Sequence, residues 1–171
     1  MISTSTVTVE ADPNVPLVHM TRDFAATPAQ LFRAHTDPEL FAQWVGPDGL
    51  ETTIDYWDAR TGGSWRYTAS RGGVEHAFHG SFHEVSPARL VQTFTYEGSP
   101  DSVALETLWF EDLGGGRTRL HAQSLVDSFE GRRLPEQRHG DRRRAGLPQT
   151  RHPARGRRLT WRTSGPRRRG P

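Results

Sequence analysis

The chain has 171 residues, 33% of them hydrophobic and 25% charged, with a formal net charge of +2. It contains no Cys, which excludes disulfides, thiolate metal sites and cysteine nucleophiles, and no stretch approaches the roughly 18 apolar residues of a membrane span. The small net charge hides a break: residues 1–130 carry 8 Arg against 18 Asp and Glu, whereas residues 131–171 carry 14 Arg against only Glu136 and Asp141.

Length and composition give one domain. Residues 1–16 read as an N-terminal extension, 17–130 as the folded domain, and 131–171 as an Arg-, Pro- and Gly-rich tail expected to be disordered. All 22 basic residues are Arg, a bias that points to a GC-rich gene before it points to a binding surface. The start Met1-Ile2-Ser3-Thr4-Ser5 has no basic region leading into an apolar run, so the expectation is a soluble, cytoplasmic protein.

Thr4, Thr6 and Thr8 alternate with Ser5, Val7 and Val9 up to the break Asp12-Pro13-Asn14. Leu17 to Phe24 follows as the first core strand. Thr27-Pro28-Ala29-Gln30 is a helix start, with Thr27 as N-cap, Pro28 pre-set at the first helical position and Gln30 placed to reach back. Asp37-Pro38-Glu39 repeats the device, and Leu40, Phe41 and Trp44 form the inner face of a second short helix ending near Gly46-Pro47. From residue 50 the period becomes two. Leu50 to Trp57, Ser64 to Ser70, Glu75 to His83, Leu90 to Tyr96, Val103 to Phe110 and Thr118 to Leu125 read as six strands. Short Gly-, Pro- and Ser-rich connections imply antiparallel hairpins. The class is α+β: one curved antiparallel sheet of about seven strands, with two short helices after the first.

Five segments carry a resemblance when taken in order: Thr27 to Leu40, Trp44-Val45-Gly46-Pro47, Gly62 to Tyr67, Gly80 to Val85 and Phe110 to Thr118. The chain resembles the START/Bet v 1-like helix-grip (SRPBCC) superfamily, in the bacterial branch similar to the C-terminal domain of the heat-shock-protein-90 ATPase activator. The resemblance implies a sheet gripping a long C-terminal helix around an apolar cavity. Its members bind lipids, hormones, polyketides or other apolar ligands, and some catalyse cyclisation or hydration.

The tail departs from that pattern. Asp127-Ser128-Phe129-Glu130 looks like the capped start of the gripping helix. Beyond it only Leu134, Leu147, Leu159 and Trp161 are large and apolar, and Pro135, Pro148, Pro153 and Pro166 break any helix. The gripping helix is therefore expected to be lost or truncated. Residues 138–155 can be encoded by codons that, read one base later, spell an amphipathic helix, so a frameshift near Gly131 to Arg133 is the working expectation and a natural basic tail the alternative. Sequencing the gene across codons 125–140 decides between them.

Cavity candidates are Trp44, near the end of the second helix, with Trp65, Tyr67, His76, Phe78, Phe82, Phe94 and Trp109 on the strands. Ordinary sheet core is the plainer reading of each, and parity alone does not say which face is concave. His76, Glu106 and His121 are the polar groups that would have to face the pocket for acid–base chemistry, and solvent-facing positions are their plainer reading. No metal or cofactor is expected: His76 and His79 point to opposite faces, and His79 and His83 lie about 13 Å apart at about 3.3 Å per residue. Gly114-Gly115-Gly116 lacks a following Lys and a helix start, so it serves a hairpin and not a phosphate.

The expected partner is a small apolar molecule bound without catalysis. A homodimer is an open possibility, and nucleic acid would bind only non-specifically through the arginines, with Trp161 able to stack on a base. The competing readings are a cyclase- or hydratase-like enzyme on the same fold and a chaperone-associated interaction protein.

Overall fold

Two proline-started helices interrupt what is otherwise a run of strands, and their caps follow from side-chain chemistry. The computed structural model describes residues 7–46 and 49–129; the tail at 131–171, with its expected missing helix, lies outside these residues. Thr27 Oγ1 accepts the Gln30 N–H at 3.3 Å while Gln30 Oε1 accepts the Thr27 N–H at 2.8 Å, a reciprocal cap that starts α1 (Pro28–Thr36). Asp37 ends α1 and begins α2 (Pro38–Trp44), its Oδ1 accepting the N–H groups of Glu39 and Leu40 at 3.1 and 3.3 Å.

Eight strands surround these helices in sequence: β1 (Val7–Ala11), β2 (Leu17–Phe24), then after α2 β3 (Glu51–Trp57), β4 (Ser64–Arg71), β5 (Val74–Val85), β6 (Arg89–Tyr96), β7 (Val103–Gly114) and β8 (Arg117–Leu125). They form one antiparallel sheet in the order β1-β2-β8-β7-β6-β5-β4-β3. The helices carry the chain from β2 to the opposite edge, and the meander returns until β8 pairs with β2 over its full length. The expectation of about seven strands is exceeded by β1. Val7–Ala11, assigned from sequence to an N-terminal extension, hydrogen-bonds to β2 from Val7 opposite Arg22 to Ala11 opposite Val18.

The cross-strand register sorts the side chains. One face carries Val18, Met20, Arg22 and Phe24 on β2, Leu120, Ala122 and Ser124 on β8, and Glu106, Leu108 and Phe110 on β7. The same face continues through Leu90, Gln92 and Phe94, then Phe78, Gly80 and Phe82, to Trp65, Tyr67 and Ala69. Helix α1 packs on this face at β7 and β8, and α2 at β3. Irregularities reset the alternation: the bulge between Ile54 and Tyr56 lets both Ile54 and Trp57 pack against the core, and a second between Phe82 and Glu84 turns Val85 inward. Thr118, wholly buried, ties the helical segment down by donating to the Ala26 carbonyl at 2.6 Å.

The opposite face is held by ion pairs. Arg66 grips Glu97 with two bonds of 2.8 and 3.0 Å and reaches Asp55 at 2.6 Å, while His79 Nδ1 lies 3.2 Å from Glu97. Arg119 holds Asp23 in the same forked way at 2.7 and 3.0 Å. The hydrogen bonds from Arg66 hold the Glu97 carboxyl below the usual carboxylate range, and those from Arg119 do the same for Asp23. A depressed folded value means that the stability contributed is complete above the ordinary range and is lost as pH falls through the folded value. The urea midpoint is expected to drop between about pH 5 and about pH 2. Glu97→Gln should flatten that slope, and an unaltered slope in the variant contradicts the assignment.

Candidate functional site

Between the helices and the inner face lies a cavity of about 130 Å³. Leu31, Ala34 and His35 of α1 and Phe41 and Trp44 of α2 form its roof. Its floor runs from Met20, Arg22 and Phe24 on β2 through β8 and β7 to Phe94, Trp65 and Trp57. The roof is fixed by indole chemistry. Trp44 Nε1–H donates to the Ala34 carbonyl and Trp57 Nε1–H to that of Thr36, both at 2.8 Å, so two aromatic side chains pin the end of α1. His35 packs against Trp44 with centroids 4.7 Å apart, and its Nδ1 lies 2.8 Å from the Leu31 carbonyl oxygen.

Of the residues proposed from sequence, Trp44, Trp65 and Phe94 line this cavity. Tyr67, His76, Phe78 and Phe82 share the inner face but do not line it; the first three form an aromatic stack with Tyr96 alongside, and Phe82 packs edge-on against Trp57. In that stack Phe78 lies 5.1 Å from Tyr67 and 5.2 Å from Tyr96, and His76 Nδ1 lies 2.8 Å from the Tyr96 hydroxyl. Trp109 requires a correction. It pairs with Arg89 and His121 and lies on the outer face, because its parity is opposite to that of Leu108 and Phe110. His121 is outside for the same reason, with Nε2 2.8 Å from Glu111, whereas Glu106 does line the cavity.

The structure adds five polar residues to the lining: Arg22, His35, Gln92, Gln123 and Ser124. Gln92 Nε2 donates to Glu106 Oε2 at 3.1 Å, so that carboxylate is already engaged. Three other polar atoms are not so provided for. Arg22 Nε, Trp65 Nε1 and Ser124 Oγ are buried without a hydrogen-bond partner among the described residues, and all three residues line this cavity. Burial pulls the Arg22 guanidinium below its ordinary value, since a charge removed from water is disfavoured. An unmade hydrogen bond on a buried group costs about 1–3 kcal/mol. All three such groups lie around this one void.

A curved antiparallel sheet, a two-helix brace and an apolar cavity between them define the α+β helix-grip class. Within that class the chain belongs to the Activator of Hsp90 ATPase homolog 1-like protein family, whose profile matches residues 25–153. That match includes residues 131–153, which the sequence reading set outside the domain. A protein from Chromobacterium violaceum, 27% identical, superposes with a TM-score of 0.57 over 63% of this chain and 77% of its own. One from Rhodobacter sphaeroides, 24% identical, superposes at 0.69 over 81% and 93%. A solution structure from Arthrobacter aurescens, 20% identical, gives 0.72 over 80% and 85%. The last two likenesses carry the fold alone. No curated protein matches the chain. Among the described residues no helix is long and apolar enough to cross a membrane.

Proposed function

We propose that this protein binds a small, largely apolar molecule in the cavity between its helices and its sheet. The observation that carries this reading is the cavity itself, about 130 Å³ of space walled by Phe24, Phe41, Trp44, Trp57, Trp65 and Phe94. An apolar void of about 150 Å³ accommodates a benzene-sized guest, which sets the scale of the ligand's buried body. Aromatic walls with a few placed polar groups are what such sites use, the walls for affinity and the polar groups for orientation.

Ala122 offers a direct test. It lies on the cavity floor between Met20 and Leu108, where a large side chain projects into the void. Native mass spectrometry of the purified full chain should show a bound small molecule, and Ala122→Trp should lose it while keeping the far-ultraviolet circular dichroism of the parent. An occupancy equal in the two proteins counts against the cavity as the site.

A second reading, acid–base chemistry on the bound molecule, is favoured by one observation: Glu106 and His35 line the same cavity. Under it, Glu106→Gln would abolish turnover of the copurified molecule without releasing it.

A further inference from the structure

Arg22 is the side chain in this cavity whose chemistry the protein leaves unanswered. Arg33, Arg60, Arg66, Arg89, Arg117 and Arg119 each lie within 3.6 Å of a carboxylate, and Arg71 is exposed to water. Arg22 is on the inner face, between Met20 and Phe24, and makes no ion pair among the described residues. Its guanidinium lies 5.1 Å from the Phe24 ring centroid, and its Nε is buried without an acceptor. The cavity's own carboxylate does not answer it. Glu106 is bonded to Gln92, and the cross-strand row of Arg22, Leu120 and Phe110 lies four residues along β7 from Glu106, about 14 Å at about 3.4 Å per residue.

Arg22 is half-buried, and a cation partly withdrawn from water beside apolar walls is stabilised by a paired, hydrogen-bonded anion. A planar guanidinium presents its donors as a fork matched to the two oxygens of a carboxylate. The space beside it admits a benzene-sized body, and the neighbouring walls are Phe24 and Leu120. We propose that Arg22 anchors the anionic end of the cavity's ligand, and that this ligand is a small monocarboxylate with an aromatic or short aliphatic body. Trp65 and Ser124, whose buried Nε1 and Oγ also lack partners, would face the remainder of the molecule.

The inference rests on the cavity-binding reading above, and uncharged probes separate the two. Phenylacetate and phenylacetamide, and hexanoate and hexanamide, are titrated into the full chain by calorimetry or by chemical-shift changes. A charge-assisted bond predicts that each acid binds at least about tenfold more tightly than its amide. Arg22→Gln should remove that preference, bringing the acid's affinity down to about that of its amide, and Arg22→Lys should restore part of it by returning the charge without the fork. Equal affinity of acid and amide for the parent protein overturns the role of Arg22 and leaves the cavity reading standing. Absence of binding by all four probes overturns both. The comparison on the parent protein decides the matter even if the glutamine variant fails to fold.

Discussion

Replacing Trp65 by alanine is expected to lower the free energy of unfolding by about 3–5 kcal/mol, measured by urea titration at 25 °C. The indole is 1% exposed, among the largest fully buried side chains described. Its ring centroid lies 5.8 Å from that of Trp57, 5.6 Å from Tyr67 and 5.5 Å from Phe94, so one truncation empties the junction between the cavity wall and the aromatic stack. Against a typical net stability of about 5–15 kcal/mol, such a loss leaves a protein close to its unfolding threshold. Trp65→Phe tests a finer point. It keeps an aromatic ring and deletes an N–H that has no acceptor among the described residues, so it should cost about 1 kcal/mol or less. A phenylalanine variant as damaged as the alanine variant would mean that the indole N–H is in fact satisfied.

The helix starts were legible because they are local. Thr27 with Gln30, and Asp37 with Pro38, satisfy backbone donors within four residues, so nothing distant can overrule them. The hairpins were legible for a related reason: Gly62, Gly72, Gly73 and Gly114 to Gly116 adopt positive φ, which glycine tolerates without strain. Strand β1 was not, since five residues with Val7 and Val9 as their only large apolar side chains form a strand only by pairing with β2.

Which face is inner was hidden by the bulges. A strict period of two puts Ile54 and Trp57 on opposite sides, yet the extra residue between them brings both to the core. Trp109 was misplaced for the complementary reason, as aromatic character says that a residue is worth burying but not on which side of the sheet. The clearest unused signal was Arg22. It shares the parity of Val18, Met20 and Phe24, so a charge stands in a slot that alternation reserves for the core. A charge in such a slot conflicts with the fold's own pattern, and conflicts of that kind gather at functional positions.

Gly80→Ala should be destabilising by about 3 kcal/mol, at the upper end of the usual penalty for overpacking a core. Elsewhere in a strand the same change would be neutral or mildly favourable. Gly80 is on the inner face directly opposite Trp65, and the indole covers the place where a side chain would stand. A Cβ there would lie 2.6 Å from Trp65 Cζ2 and nearer still to the Thr93 carbonyl oxygen. The two obstacles differ in kind, because a ring can be removed by mutation whereas a backbone carbonyl engaged in the sheet cannot. In the background of Trp65→Ala, Gly80→Ala should therefore cost less than in the parent, with a coupling energy of about 1–2 kcal/mol, yet remain destabilising. Strict additivity would place the indole away from Gly80. Complete rescue would mean that β6 yields at Thr93, and the close approach of β5 to β6 would then be a consequence of Trp65 packing and not a constraint on it.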